Sequence, residues 1–188
     1  LKKVDRTSPT AGAAAPDGAV VLFDGTDADA FKNGKIDGKH LREGTQTKQS
    51  FTAFRLHLEF RMPYKPDRFP SNQDRGNSGV YIFNRYETQL LDSFGLHYNH
   101  FDKNAWKEAF KKEMGTGPNS DRTQWCACLY KFRTPTLNMT YPPLSWQTYD
   151  IDFTPAAFDG KKKTAHARIS LRHNGVTVLD DVELTQGG

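Results

Sequence analysis

Residues 54–61 read FRLHLEFR, and this stretch decides the fold. Phe54, Leu56, Leu58 and Phe60 alternate with Arg55, His57, Glu59 and Arg61. Strict period two is the pattern of a strand with one face in a core and the other in water. Similar runs lie on both sides of it. Residues 77–84 (NSGVYIFN) point Val80 and Ile82 one way and Gly79, Tyr81 and Phe83 the other, and 86–91 (YETQLL) place Glu87 and Gln89 opposite Thr88 and Leu90. Strands are also expected at 19–23, 125–132 and 146–153, the last with Tyr149, Ile151 and Phe153 as its apolar stripe. Residues 165–173 and 176–184 flank Asn174-Gly175, a two-residue hairpin signal, and Asp37-Gly38 is another. The β pattern breaks at 102–115, where Ala105, Trp106, Ala109, Phe110 and Met114 recur at helical spacing between Asp102 and Gly115. Many short strands and one inserted helix predict an all-β antiparallel sandwich.

Composition agrees. The chain has 188 residues, enough for one domain with a real core. Mean hydropathy is −0.73, yet aromatic residues make up 12%, too many for a disordered chain. Residues 7–18 (TSPTAGAAAPDG) suit a flexible leader, so the expected organisation is a leader over 1–17 and one domain over 18–188. Net charge is +4, with lysines clustered only at 111–112 and 161–163. These read as solvated surface, and no nucleic-acid-binding signature accompanies them. No apolar run is long enough to span a membrane. Cys126 and Cys128 are expected to be buried, reduced and without a mutual disulfide.

The polar faces of these strands collect His57, Glu59, Arg61, Tyr81, Glu87 and Gln89. If they share one sheet face, they offer what a sugar requires: carboxylates and amides for hydroxyl pairs, a guanidinium fork and an aromatic for the ring. The other reading is an ordinary wet face with cross-strand ion pairs. Asp92 is either a ligand or a turn former, His97 and His100 either line the site or serve structure, and Trp146 either stacks on sugar or fills the core. No phosphate loop, nucleophile elbow or metalloprotease motif is present.

Five segments, VVLFDGTD (20–27), FRLHLEFR (54–61), NSGVYIFNRYETQLLDS (77–93), SWQTYDIDF (145–153) and HNGVTVLDDVEL (173–184), together resemble the 3-keto-disaccharide hydrolase domain family. The resemblance runs from about residue 18 to the C-terminus. It implies a concanavalin A-like jelly roll of two antiparallel sheets that binds carbohydrate on its concave sheet. It also implies a bacterial, periplasmic or secreted protein. Glu59 and Arg61 match the family's Glu-Phe-Arg strand, Asn77, Ser78 and Gly79 its Asn-Ser-Gly, and Glu87, Gln89 and Asp92 its Glu-x-Gln-x-x-Asp. Gln147 departs from the family's usual Asn, and His97 lies in a divergent segment.

The expected function is cleavage of glycosides or 3-keto-glycosides, with a non-catalytic carbohydrate-binding module as the alternative. Glu59, Glu87 and His57 are the candidate catalytic groups. Arg61, Asn77, Ser78, Tyr81, Gln89, Asp92, His97 and Trp146 are the candidate substrate contacts. No cofactor or metal site is evident. Domains of this fold often hold calcium, but the Asp residues form no recognisable calcium loop.

Overall fold

A computed structural model describes residues 6–68, 73–96 and 121–185. It divides into two compact units, Leu1–Ala11 with Ala53–Gly188, and Gly12–Thr52. The smaller unit holds two short antiparallel pairs: β1 (Phe31–Lys32) with β4 (Gln46–Thr47), and β2 (Ile36–Asp37) with β3 (His40–Leu41). Asp37-Gly38 turns the second pair, as expected, with Gly38 at φ 61°. No strand forms at 19–23, where Val20 and Val21 are each 57% exposed. An apolar run becomes a strand only where a neighbour accepts its backbone bonds.

The larger unit is the expected antiparallel jelly-roll sandwich. Its strands are β5 (Phe54–Arg61), β6 (Ser78–Ile82), β7 (Tyr86–Leu90), β8 (Trp146–Thr154), β9 (Ala157–Asp159), β10 (Lys162–Ala165), β11 (Ala167–His173) and β12 (Val176–Leu184). One sheet has the order β12-β11-β8-β5, and β6 pairs with β7 in another. The β11–β12 hairpin turns at Asn174 (φ 51°) and Gly175 (φ 78°), the two left-handed residues such a turn requires.

The inward stripe of the four-stranded sheet is Leu56, Leu58, Phe60, Tyr149, Ile151, Phe153, Ile169 and Leu171. Val80, Ile82, Tyr86 and Leu90 from β6 and β7 pack into the same core. Phe153 stacks with Phe54 at 5.3 Å between ring centroids and meets Phe83 at 5.4 Å. Burying each such side chain contributes about 1.5–3 kcal/mol, which is what fixes the register of the two sheets.

Residues 125–132 are not a strand. Ala127 (φ 66°) and Lys131 (φ 55°) adopt left-handed conformations that interrupt an extended chain. The segment still borders β7, with Ala127 N donating to Gln89 O at 2.9 Å and Tyr130 N to Glu87 O at 3.0 Å. Cys126 and Cys128 are free and buried as expected, and burial pushes both thiols up, leaving them inert.

The amino-terminal residues are not all leader-like. Ser8 is buried, its hydroxyl 2.6 Å from that of Thr148, and Thr10 lies 2.8 Å from the same group. The helix expected over 102–115 lies outside the described residues, as do His97 and His100.

Candidate functional site

The six polar residues expected on one face occupy two. β5 and β7 both turn their apolar sets into the same core, but from opposite sheets. Their polar sets therefore point away from each other, on opposite sides of the sandwich. His57, Glu59 and Arg61 share one outer face, and Tyr81, Glu87 and Gln89 lie on the other. The expectation of a single shared face is corrected by this packing.

On the β5 face every charged side chain meets a counterpart across the strand. Arg55, His57, Glu59 and Arg61 stand opposite Asp152, Asp150, Thr148 and Trp146. Asp152 is held between Arg55 and Arg172, at 3.0 Å from each. His57 Nδ1 lies 2.7 Å from Asp150 Oδ1, and its Nε2 lies 3.7 Å from Glu59 Oε1. The Arg61 guanidinium sits 5.4 Å from the ring centroid of Trp146, which is 39% exposed. Trp146 is thus neither core nor an open stacking platform on that ring face. This is a ladder of cross-strand pairs, each worth about 0–1 kcal/mol where solvent screens it.

The β6–β7 face is built differently. Antiparallel register sets Gly79 opposite Gln89 and Tyr81 opposite Glu87. The Glu87 side chain leans across β6 over Gly79. A Cβ at that position would fall 2.7 Å from Glu87 Cγ and 2.9 Å from Cδ, so only glycine admits this conformation. Gln89 is fully buried. With its amide nitrogen turned toward the available acceptors, it donates to Glu87 Oε1 at 3.1 Å and to Ser78 O at 2.8 Å. The Tyr81 hydroxyl donates to the same carboxylate.

Burial raises the pKa of Glu87, and the tyrosine hydrogen bond offsets this only in part. The Tyr81 phenol is itself pushed up to about 12 by burial of its hydroxyl, then by its bond to Glu87 and that group's charge. The ring remains 59% exposed beside this oriented carboxylate. Here, then, is a carboxylate with a raised proton affinity, fixed by an amide and a phenol, at the edge of solvent.

Tyr130 and the turn at 121–124 border this face. Tyr130 Oη lies 3.4 Å from Gln124 Oε1, and Asp121 caps the turn by accepting from Thr123 N at 3.0 Å and from Gln124 Nε2 at 2.9 Å. Asn77, at the foot of β6, donates to Gln73 Oε1 at 3.1 Å. Both line an open cleft of about 540 Å³ with Lys65, Asp67, Arg68 and Asp74. Glu87 is not in the cleft's lining; Asn77 links the two through Ser78, whose carbonyl holds Gln89.

Asp92 is fully buried and ion-paired with Arg75, and its Oδ1 accepts from Phe94 N at 3.1 Å. Of its two readings, turn former is the one this geometry fits, and a fully buried carboxylate does not reach a substrate. Arg75 also donates to Arg68 O, and Lys65 Nζ to Asp74 O at 2.8 Å, which fixes the wall of the cleft. Gln73, Arg75 and Tyr130 were not legible as site neighbours because they come from loops, where no periodicity marks a face.

Calcium is the metal that the resemblance leaves open. It takes about six to eight oxygen ligands, whereas the Asp92 and Asp121 carboxylates are already engaged by protein donors. Among the described residues no three His, Cys, Asp or Glu side chains gather as a metal-holding group.

Comparison with known proteins places the chain. It is similar to a crystal structure from Parabacteroides distasonis described as a candidate glycosyl hydrolase, at 25% identity and a TM-score of 0.71, over 91% of this chain and 68% of that one. No curated protein matches it. Residues 18–188 match the model of 3-keto-alpha-glucoside-1,2-lyase-like domains. Since that match takes in both sheets and the Glu87 site, the chain belongs to the 3-keto-alpha-glucoside-1,2-lyase-like domain family.

Proposed function

We propose that this domain cleaves 3-keto-glycosides by elimination, with Glu87 as the proton-transfer group. The family assignment and the candidate glycosyl hydrolase both support a carbohydrate substrate. The observation that carries the mechanism is the fixed, proton-avid Glu87 carboxylate over Gly79.

A ketone at C3 of a sugar acidifies the hydrogen on C2. Glu87 takes that proton, and the C2–H electron pair forms an enolate with the C3 carbonyl. The enolate collapses into a C1–C2 double bond, and the C1–O bond breaks with its pair on the departing oxygen. Glu87 then returns its proton to that oxygen, so the step needs no outside acid. Addition of water across the double bond completes net hydrolysis.

Tyr81 suits the remaining role. A phenol with a pKa of about 12 stays protonated at neutral pH. Once Glu87 is neutral, its acceptor strength falls and the hydroxyl is released to donate to the enolate oxygen. Direct hydrolysis would use two carboxyl groups about 5–9.5 Å apart. The separation of Glu59 from Glu87 by the core therefore favours elimination.

The test is turnover of a 3-keto-glucoside beside its unoxidised parent, by the native protein and by Glu87→Gln. The expected result is turnover of the keto sugar alone, reduced about 10²–10⁴-fold in the variant. Full activity in Glu87→Gln removes this residue from the mechanism. Binding without turnover in the native protein leaves a carbohydrate-binding module.

A further inference from the structure

The β9–β10 hairpin takes no part in the Glu87 site. All seven of its strand residues are exposed, and Phe158 is 59% exposed. Cross-strand register puts Phe158 directly opposite Lys163 and Asp159 opposite Lys162, with Lys161 beside Gly160 in the turn. One face thus carries an aromatic ring next to an ammonium group, with a second ammonium at the tip. Among the described residues, the side chains of Phe158 and Lys161–Lys163 make no hydrogen bond, ion pair or ring contact. Three lysines against the single acid Asp159 leave the hairpin net positive.

A lone exposed Phe is unremarkable, and so is a lysine run. Their coincidence on one exposed hairpin is more specific. A flat ring stacks on one pyranose face, and ammonium groups beside it meet acid groups on that sugar or the next. One Phe gives too little apolar area to hold a bilayer surface, since even a myristoyl chain binds membranes only marginally. We propose that this hairpin docks an anionic polysaccharide, with Phe158 stacked on a ring and Lys161 and Lys163 paired with its carboxylates.

Affinity electrophoresis of the whole chain tests this, using gels that contain polygalacturonate or neutral dextran. Retardation is expected in polygalacturonate only, weakening as salt is added. The Phe158→Ser and Lys161→Gln/Lys163→Gln variants should each lose about tenfold in affinity. Their melting temperatures should stay close to the native value because every altered side chain is exposed. Equal mobility in both gels overturns the proposal, as does retardation that the variants leave unchanged. Tighter capture by phosphatidylserine vesicles than by polygalacturonate also overturns it, in favour of a lipid surface. The readout is binding, so it stands apart from any failure of the Glu87 chemistry.

Discussion

The two outer faces of the sandwich carry the same kinds of residue and put them to different use. On the β5 face Arg55, His57 and Glu59 meet charges or a hydroxyl across the strand, in a ladder open to water. On the β6–β7 face Glu87 meets a phenol, an amide and a glycine, and no cation is among the groups that shift its pKa. The β5-face carboxylates lie among cationic partners. Glu87, partly buried among neutral donors, has its proton affinity raised by burial, which suits a group that must take up a proton. The neighbourhood, not the residue type, separates the two.

Gly79→Ala breaks this contrast most sharply. The added Cβ lands against the Glu87 side chain and forces the carboxylate aside. A displacement of about 1 Å costs on the order of a hundredfold in rate. Steady-state kinetics on a 3-keto-glucoside should show that loss in kcat, and an unaltered kcat would mean that the Glu87 orientation is immaterial.

Tyr81→Phe sharpens the contrast with a smaller effect. The hydroxyl lowers the Glu87 pKa against the raising effect of burial. Removing it lets the pKa climb further. Proton abstraction requires ionised Glu87, so the acidic limb of the kcat/KM profile should move to higher pH. Loss of the hydroxyl's own donation should cost about tenfold on the plateau, the worth of one charge-assisted hydrogen bond. A limb that stays in place or moves to lower pH contradicts this reading.

Much of the fold was legible in the sequence. Period two in 54–61 and in the 149–153 stripe reports burial directly, and both stretches lie in strands of one sheet. Asn174-Gly175 fixed the last hairpin because only a left-handed pair closes it. Periodicity fails where burial is not what shapes the chain. Residues 125–132 contain Trp125, Cys126, Cys128 and Leu129, all buried, yet the backbone bends through Ala127 and Lys131.

The site was half legible for a related reason. Alternation states that Glu59 and Glu87 both point out of the core, but not out of which sheet. That depends on whether β5 and β6 are neighbours or opposites, a long-range fact with no local signature. Gly79 was the missed clue: its place opposite Gln89 and beneath Glu87 follows from the register, and register required the structure.

Hydrogen exchange at C2 of the sugar tests the difference between the faces most directly. A 3-keto-glucoside is incubated in heavy water with the native protein, Glu59→Gln or Glu87→Gln, and C2 deuterium in recovered substrate and product is read by mass spectrometry. This account predicts incorporation with the native protein and with Glu59→Gln, and none above background with Glu87→Gln. Exchange that survives in Glu87→Gln but disappears in Glu59→Gln would place the chemistry on the β5 face and contradict it.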